Sequence, residues 1–352
     1  MKLRVFAPTA SSPARRARAL LLLILVAGAA ALVATAPTHA QTVVKMATLV
    51  PEGSVWDKAL KDMGAQWREA SGGAVELRIY AGGVAGDEPD VVRKMRIGQI
   101  HAAAFSVTGL IAIDKGFEIF QIPFFFDSWE ELYFVLGKLQ PELEKRLAAK
   151  GYVFLQWGHG GWVHMFSRQP VRSIDDLRKQ KIFTWAGNDM MVDLWRRAGF
   201  QPVALAATDI LTGLQTGMID VVPTPPLASL SLQWFRTLPN MQAEGLAPLI
   251  GATVINQKTW NSLPEATRAK LLELAKKTDA ILAREIPVQD TQAIDQMKQR
   301  GLTVTSLDPA AKPGWQKAAD DMAAGVRERL EDKALLEMAM AARSEFRAQK
   351  GH

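Results

Sequence analysis

The sequence predicts an α/β protein of two lobes, and three observations carry the prediction. Between residues 42 and 105, strand-like and helix-like segments alternate as strand, helix, strand, helix, strand, the order of parallel strands joined by crossover helices. A glycine cluster, Gly158-His159-Gly160-Gly161, then separates this part from a second series of short strands and helices. Finally, residues 263–300 are almost entirely helix-forming, on the order of 55 Å of helix at ~1.5 Å per residue, long enough to touch both lobes.

The first lobe opens with residues 42–49 (TVVKMATL), a β-rich run broken by Pro51-Glu52-Gly53. Ser54 is placed to cap a helix through residue 70, in which Trp56, Leu60, Met63 and Trp67 recur at helical spacing. Gly72-Gly73 stops that helix, and residues 74–80 (AVELRIY) alternate as a strand. A loop at Gly82, Gly83 and Gly86 leads into a helix over 87–97, with Pro89 in its first turn, and then into an apolar strand over 100–105. A helix over 128–149 and a strand over 152–157 follow. The glycine cluster reads as a flexible break and as the lobe boundary.

Strands over 163–167, 181–184, 201–204 and 219–222, with helices over 189–198 and 208–216, make the second lobe. Residues 249–255 are an apolar strand placed to return the chain to the first. In the long helical segment Leu263, Ala266, Leu271, Leu274, Ile281, Ile286, Ile294 and Met297 mark the buried side, and Pro287 is expected to kink or split it. A strand over 301–305 and a helix over 309–330 come last, and residues 341–352 are expected to fray. The domain plan is therefore 41–160 plus 250–290 for one lobe, 161–249 plus 291–335 for the other, and 336–352 as a terminal helix or tail.

Composition agrees with this plan. The chain has 352 residues, 48% apolar and 22% charged, which suits two domains with ordinary cores and excludes a disordered chain. It has no cysteine, so disulfides, thiol chemistry and cysteine-ligated metals are excluded. Residues 1–40 read as a secretory signal. Lys2, Arg4, Arg15, Arg16 and Arg18 precede an uncharged apolar stretch over 19–36, and small residues stand three and one positions before a cleavage after Ala40. An uncleaved membrane anchor is the alternative. Cleavage would release the protein into the periplasm, no longer embedded in the membrane. It would also remove five cations and lower the formal net charge of +6 to about +1, so a nucleic-acid or anionic-membrane surface loses its support.

Catalytic signatures are missing. His101, His159 and His164 lack metal-site spacing, no G-x-S-x-G elbow or Walker loop occurs, and Gly82-Gly83-Val84-Ala85-Gly86 lacks the register and lysine of a nucleotide loop. Neither an enzyme, a cofactor nor a metal is indicated. The tryptophans carry more. Trp56, Trp157, Trp162 and Trp185 fall at loops or strand ends, where aromatic residues commonly line a ligand cleft.

Seven segments then form a recognisable series. Pro51-Glu52-Gly53-Ser54, Ser71-Gly72-Gly73, Gly98-Gln99-Ile100 and Ile122-Pro123-Phe124-Phe125-Phe126 come first. Pro170-Val171-Arg172-Ser173-Ile174-Asp175-Asp176-Leu177 stands ahead of Lys181-Ile182, and the series ends with Thr212-Gly213-Leu214-Gln215-Thr216-Gly217-Met218-Ile219-Asp220 and Trp260-Asn261-Ser262-Leu263-Pro264. In this order they resemble the DctP-type substrate-binding proteins of tripartite ATP-independent periplasmic (TRAP) transporters, over roughly residues 43–330. The resemblance implies a hinged, periplasmic-binding-protein-like α/β fold with a long helix crossing both lobes. It implies a receptor that closes on a small organic solute and delivers it to TRAP permease subunits, with transport driven by an ion gradient. Two alternatives stay open: a receptor of the same fold that signals to a membrane partner, and a periplasmic enzyme on this scaffold.

The sequence departs from the family where the family holds a carboxylate. Phe183 stands after Lys181-Ile182 where the resemblance implies an arginine, Val163 replaces a second arginine, and Thr224 replaces an asparagine. An arginine fork grips a carboxylate through two parallel charge-assisted bonds that phenylalanine and valine cannot supply. Either the solute is not a simple carboxylate, or Arg168, His159, His164 or a helix N-terminus at Ser54 or Thr208 takes over. The expected cleft walls are Ser54, Trp56, Ser106, Thr108, Trp157, Phe183, Trp185, Asn188 and Thr224. Turn or helix capping is the competing role for Ser106, Thr108 and Asn188.

Overall fold

The computed structural model describes residues 41–351; the leader read over residues 1–40 lies outside the described residues. The chain begins with Thr42–Thr48 (β1), Val55–Ala70 (α1), Val75–Tyr80 (β2), Glu88–Arg96 (α2), Ala102–Ser106 (β3), Val107–Ile113 (α3), Trp129–Ala149 (α4) and Tyr152–Ser167 (β4). It continues with Ile174–Arg178 (α5), Lys181–Trp185 (β5), Asp189–Arg197 (α6), Gln201–Leu205 (β6), Ile210–Gln215 (α7), Val221–Thr224 (β7), Pro226–Ser231 (α8) and Asn240–Gln242 (β8). Ala247–Asn256 (β9), Gln257–Asn261 (α9), Glu265–Lys298 (α10), Thr303–Thr305 (β10), Lys312–Arg329 (α11) and Lys333–Lys350 (α12) complete it.

Two sheets organise these elements into two lobes. In the first the order is β2-β1-β3-β9-β4, with β1 parallel to β2 and β3, and β9 antiparallel to both β3 and β4. In the second, β4 pairs antiparallel with β7 and β8, and β5 lies parallel to β6 and β7. Strand β4 belongs to both: residues 152–163 pair with β9, and residues 164–167 with β7.

That continuity corrects one expectation. Gly158 to Gly161 are not a break, because they lie inside a 16-residue strand. The strand bends at bulges between Phe154 and Gln156 and between His159 and Gly161. Gly161 takes φ 115°, and a Cβ there would collide with Pro225 and the Asp290 carboxylate, so glycine is required at the bend.

Pro287 does not split the long helix either: α10 runs 34 residues through it. Proline removes the N–H that would bond the carbonyl of Ala283. The Tyr133 hydroxyl of α4 donates to that oxygen at 3.0 Å, so the orphaned acceptor is satisfied. Two aspartates eleven residues apart, three turns on one helix face, fasten α10 to β4. Asp279 accepts from the His159 imidazole Nε2 at 2.5 Å, and Asp290 accepts from Trp162 N–H at 2.8 Å and from Leu227 N–H of α8 at 3.0 Å. On the first lobe the indole of Trp67 in α1 donates to the Leu271 carbonyl at 3.1 Å.

The carboxy terminus is more ordered than expected. Helix α12 packs on α4 through Leu335, Leu336, Ala339 and Ala342. Arg347 Nε donates to Glu131 at 2.6 Å, and Lys138 pairs with Glu345 at 2.9 Å, so the segment expected to fray is tied down. No helix among the described residues is long and apolar enough to cross a membrane.

Candidate functional site

Ligands of open α/β sheets bind beyond the carboxyl ends of parallel strands. Here those ends face a cavity of about 590 Å³ between the two sheets, within the size range of small-molecule sites.

Its first wall is a row across four strands. Thr48 of β1, Ala104 of β3, Thr253 of β9 and Gln156 of β4 are register neighbours, and all four line the cavity. Gln156 Nε2 donates to Thr253 Oγ1 at 3.4 Å, and Gln156 Oε1 has no protein partner. One step along, Ser106, Gly251 and Gly158 form the next row, where two glycines leave the floor without side chains. A Cβ at Gly251 would collide with the Phe105 carbonyl, so the strands can approach only because that residue is glycine.

Glu88, at the start of α2, borders this floor. Its carboxyl accepts from Ser106 N–H at 2.6 Å, Ser106 Oγ–H at 2.6 Å and Gly109 N–H at 2.8 Å. Burial pushes its pKa up to about 7, outweighing the opposite pull of those donors. Among the described residues it is the one carboxyl that lines the cavity, and no arginine or lysine does.

The second wall comes from β4, β5 and β7. Val163, Phe183, Trp185, Val222 and Thr224 line it, and the rings of Phe183 and Trp185 meet edge-on at 5.6 Å. Trp56 closes one side, anchored where its indole N–H donates to the His159 carbonyl at 2.7 Å. At the rim, Asp87 beside α2 accepts from Ala207 N–H across the cleft at 3.3 Å, and burial raises its pKa.

Of the expected wall residues, Trp56, Ser106, Phe183, Trp185, Asn188 and Thr224 border the cavity, whereas Ser54, Thr108 and Trp157 do not. Ser54 caps α1, its Oγ accepting from Asp57 N–H at 3.3 Å. Thr108 is buried in the first turn of α3. Trp157 packs edge-on against Phe120 and Phe154 and donates its N–H to Gln140 at 3.0 Å. Two lining residues also cap: Ser106 Oγ accepts from Thr108 N–H at 3.1 Å, and Asn188 Oδ1 from Met191 N–H at 3.2 Å.

The groups expected as alternative holders of a carboxylate are engaged elsewhere. Arg168 pairs with Asp220 at 3.3 Å, and the imidazole of His159 faces Asp279. His164 Nδ1 meets the Gln242 carbonyl at 3.0 Å, with burial lowering its pKa. Thr208 lines the cavity, but in a three-residue turn ahead of the short α7.

Sequence reading missed Glu88, Gln156 and Thr253. The last two carried a usable signal: each is a polar residue flanked on both sides by apolar ones, LQW and ATV. Glu88 had none beyond its place in a helix's first turn.

The model of bacterial extracellular solute-binding protein, family 7 (DctP), matches residues 46–329. An uncharacterized protein of Salmonella typhimurium is 25% identical over 186 residues, 52% of this chain, and the match spans only 56% of that protein. A solute-binding protein of Sulfitobacter sp. is 26% identical over 294 residues, covering 81% of this chain and 88% of the other. Among solved structures, a TRAP periplasmic solute-binding protein from Xanthobacter autotrophicus, with bound β-D-galacturonate, superposes with TM-score 0.79 at 17% identity, over 86% of this chain and 99% of that one. A Bordetella pertussis extracytoplasmic solute receptor binding pyroglutamic acid gives 0.79 at 19% identity, with the same coverage of 86% and 99%. These superpositions establish the two-lobed fold, and the family match spans most of the chain. The protein is therefore a member of the bacterial extracellular solute-binding proteins, family 7, the DctP-type receptors of TRAP transporters.

Proposed function

We propose that this protein closes its two lobes over a small organic solute and hands it to a TRAP membrane permease from the periplasmic side, after removal of residues 1–40. The solute rests on apolar and aromatic walls, not on an arginine fork. One observation carries this reading: among the described residues no arginine or lysine lines the cavity, whereas Phe183 and Val163 do. A carboxylate placed there would be buried without a lining cation, in a cavity that already holds the Glu88 carboxyl. The relatives with bound galacturonate and pyroglutamic acid hold acids; here the wall favours an uncharged solute with a ring or apolar body. Substrate-binding residues on this reading include Trp56, Phe183, Trp185 and Thr224.

A thermal-shift screen tests it. A ligand at about 100 times its dissociation constant stabilises by ~2.7 kcal/mol. Neutral ring compounds should raise the melting temperature, and succinate, galacturonate and pyroglutamate should not. Strong stabilisation by those acids would overturn the reading. Native mass spectrometry of protein purified from its host would identify whatever solute it retains.

A further inference from the structure

The two lobes meet at the mouth of the cleft through contacts that solute binding does not require. On the first lobe, the loop between β2 and α2 is fastened to the end of β1: Gly82 N–H donates to the Val50 carbonyl at 2.8 Å, and Gly83 N–H to the Thr48 carbonyl at 3.0 Å. On the second lobe, the loops after β5 and β6 come up to it. A Cβ on Gly83 would lie 2.7 Å from Thr208 Cγ2, and one on Gly187 3.9 Å from the Pro89 ring.

Asp87 sits in the middle of this rim, at the N-cap of α2. An aspartate there ordinarily accepts from an N–H of its own helix. The Asp87 side chain makes no such cap; instead its Oδ2 accepts from Ala207 N–H on the other lobe at 3.3 Å. Its Oδ1 is buried without a hydrogen-bond partner. Asp87 does not line the cavity, although its neighbour Glu88 does. Its one cross-cleft bond therefore serves the meeting of the lobes, not the solute. That bond is also built to be reversible. Parting the lobes hydrates the orphaned oxygen, which is costly to bury, and frees the carboxylate to cap α2.

We infer that Asp87 is a latch: its carboxylate holds the cleft shut through Ala207 N–H and exchanges that bond for the cap of α2 when the lobes part. Asp87 is thus a positioning residue that sets the balance between open and closed forms. The inference goes beyond the proposed solute class and shares with it only the closure of the two lobes.

Interlobe distance is the readout. The chain has no cysteine, so spin labels attach only at introduced ones, at Ile97→Cys on the first lobe and Met218→Cys on the second, both exposed positions. Pulsed electron–electron resonance on the purified protein then gives the populations of short and long distances. Asp87→Ala should lower the ratio of short to long about tenfold, as for loss of one hydrogen bond to a charged acceptor. Ala207→Pro removes the donor from the other side and should do the same. Proline is tolerated at the start of such a turn, and Ala206, at φ −63° and ψ 147°, already has the extended backbone that precedes one. Because both variants break one bond, the double variant should shift the ratio no further than either alone. Asp87→Asn keeps an acceptor oxygen and should retain most of the short distances. Distributions that Asp87→Ala and Ala207→Pro leave unchanged, whether short or long, would overturn the latch. So would a double variant whose shift is the product of the two single ones, about a hundredfold. No solute enters this measurement, so its failure would leave the solute class to the thermal-shift screen.

Discussion

Asp290→Asn tests the joint between the long helix and the bent strand. Asp290 is 7% exposed, and burial pushes its carboxyl from the usual 3.8 to about 6, against the pull of the Leu227 and Trp162 N–H donors. The native state thus binds this proton more tightly than the unfolded chain does. Stability from this group is largest in acid and declines as pH rises from about 4 through about 6. A difference of about two pKa units at ~1.36 kcal/mol each makes the ionised form about 3 kcal/mol less favourable to bury than the protonated one. Asparagine has no proton to gain. Its amide keeps one acceptor but turns an NH₂ toward the second backbone N–H, a loss of about 1–3 kcal/mol that removal of the buried charge offsets at neutral pH. Urea unfolding followed by tryptophan fluorescence should place the two proteins close together at pH 7.5. At pH 4 the wild type should be more stable by about 2.4 kcal/mol. All other carboxyls are common to both proteins and cancel in the difference. A gap that stays constant from pH 7.5 to pH 4 would refute the reasoning.

Two further outcomes are expected. Arg347→Ala removes the main partner of Glu131, a side chain 2% exposed whose pKa burial pushes up but whose bonds from Arg347 and Asp127 N–H hold below the usual value overall. At pH 7 the variant should lose up to about 3 kcal/mol, since Arg343 at 3.6 Å remains as a partial substitute, and the deficit should shrink in acid as Glu131 protonates; equal deficits at pH 7 and pH 3 would count against the pair. Trp185→Ala should weaken binding of the retained solute by about 1–3 kcal/mol in a fluorescence titration, and unchanged affinity in a folded variant would return Trp185 to a packing role.

Segments that carry their own local signals were legible in the sequence. Helix α1 starts at the Ser54 cap and ends before Gly72 and Gly73, both at positive φ, so its limits are written within the segment. The glycine cluster was misread for the opposite reason. With three glycines in four residues there is no side-chain period to read, and the strand exists because β9 pairs along it and Asp279 and Asp290 hold it from α10. The continuity of α10 through Pro287 was hidden likewise, since the group that satisfies Ala283 is Tyr133, 150 residues earlier. The row on the cavity floor that aligns Thr48, Gln156 and Thr253 depends on the register of four strands, at residues 48, 104, 156 and 253, which no local pattern encodes. Phe183 and Thr224 could be singled out only because the resemblance marks those positions.

Those positions also show what a single substitution in the wall would meet. Val163, Phe183 and Thr224 come from β4, β5 and β7, and all three border the cavity. Thr224 is the register partner of His164, and β5 joins β7 where Ile182 meets Val221, so Phe183 and Thr224 share one face of the second sheet, whereas Val163, next to His164, points to the other. Phe183 is 4% exposed and packs in a cluster with Ile210, Val222 and Phe235. A guanidinium introduced at position 183 alone would enter that apolar cluster, and Glu88, among the described residues the one carboxyl lining the cavity, is already held by three donors. An unpaired buried charge destabilises by several kcal/mol. A single substitution of Phe183 by arginine therefore damages the fold before it creates a carboxylate site.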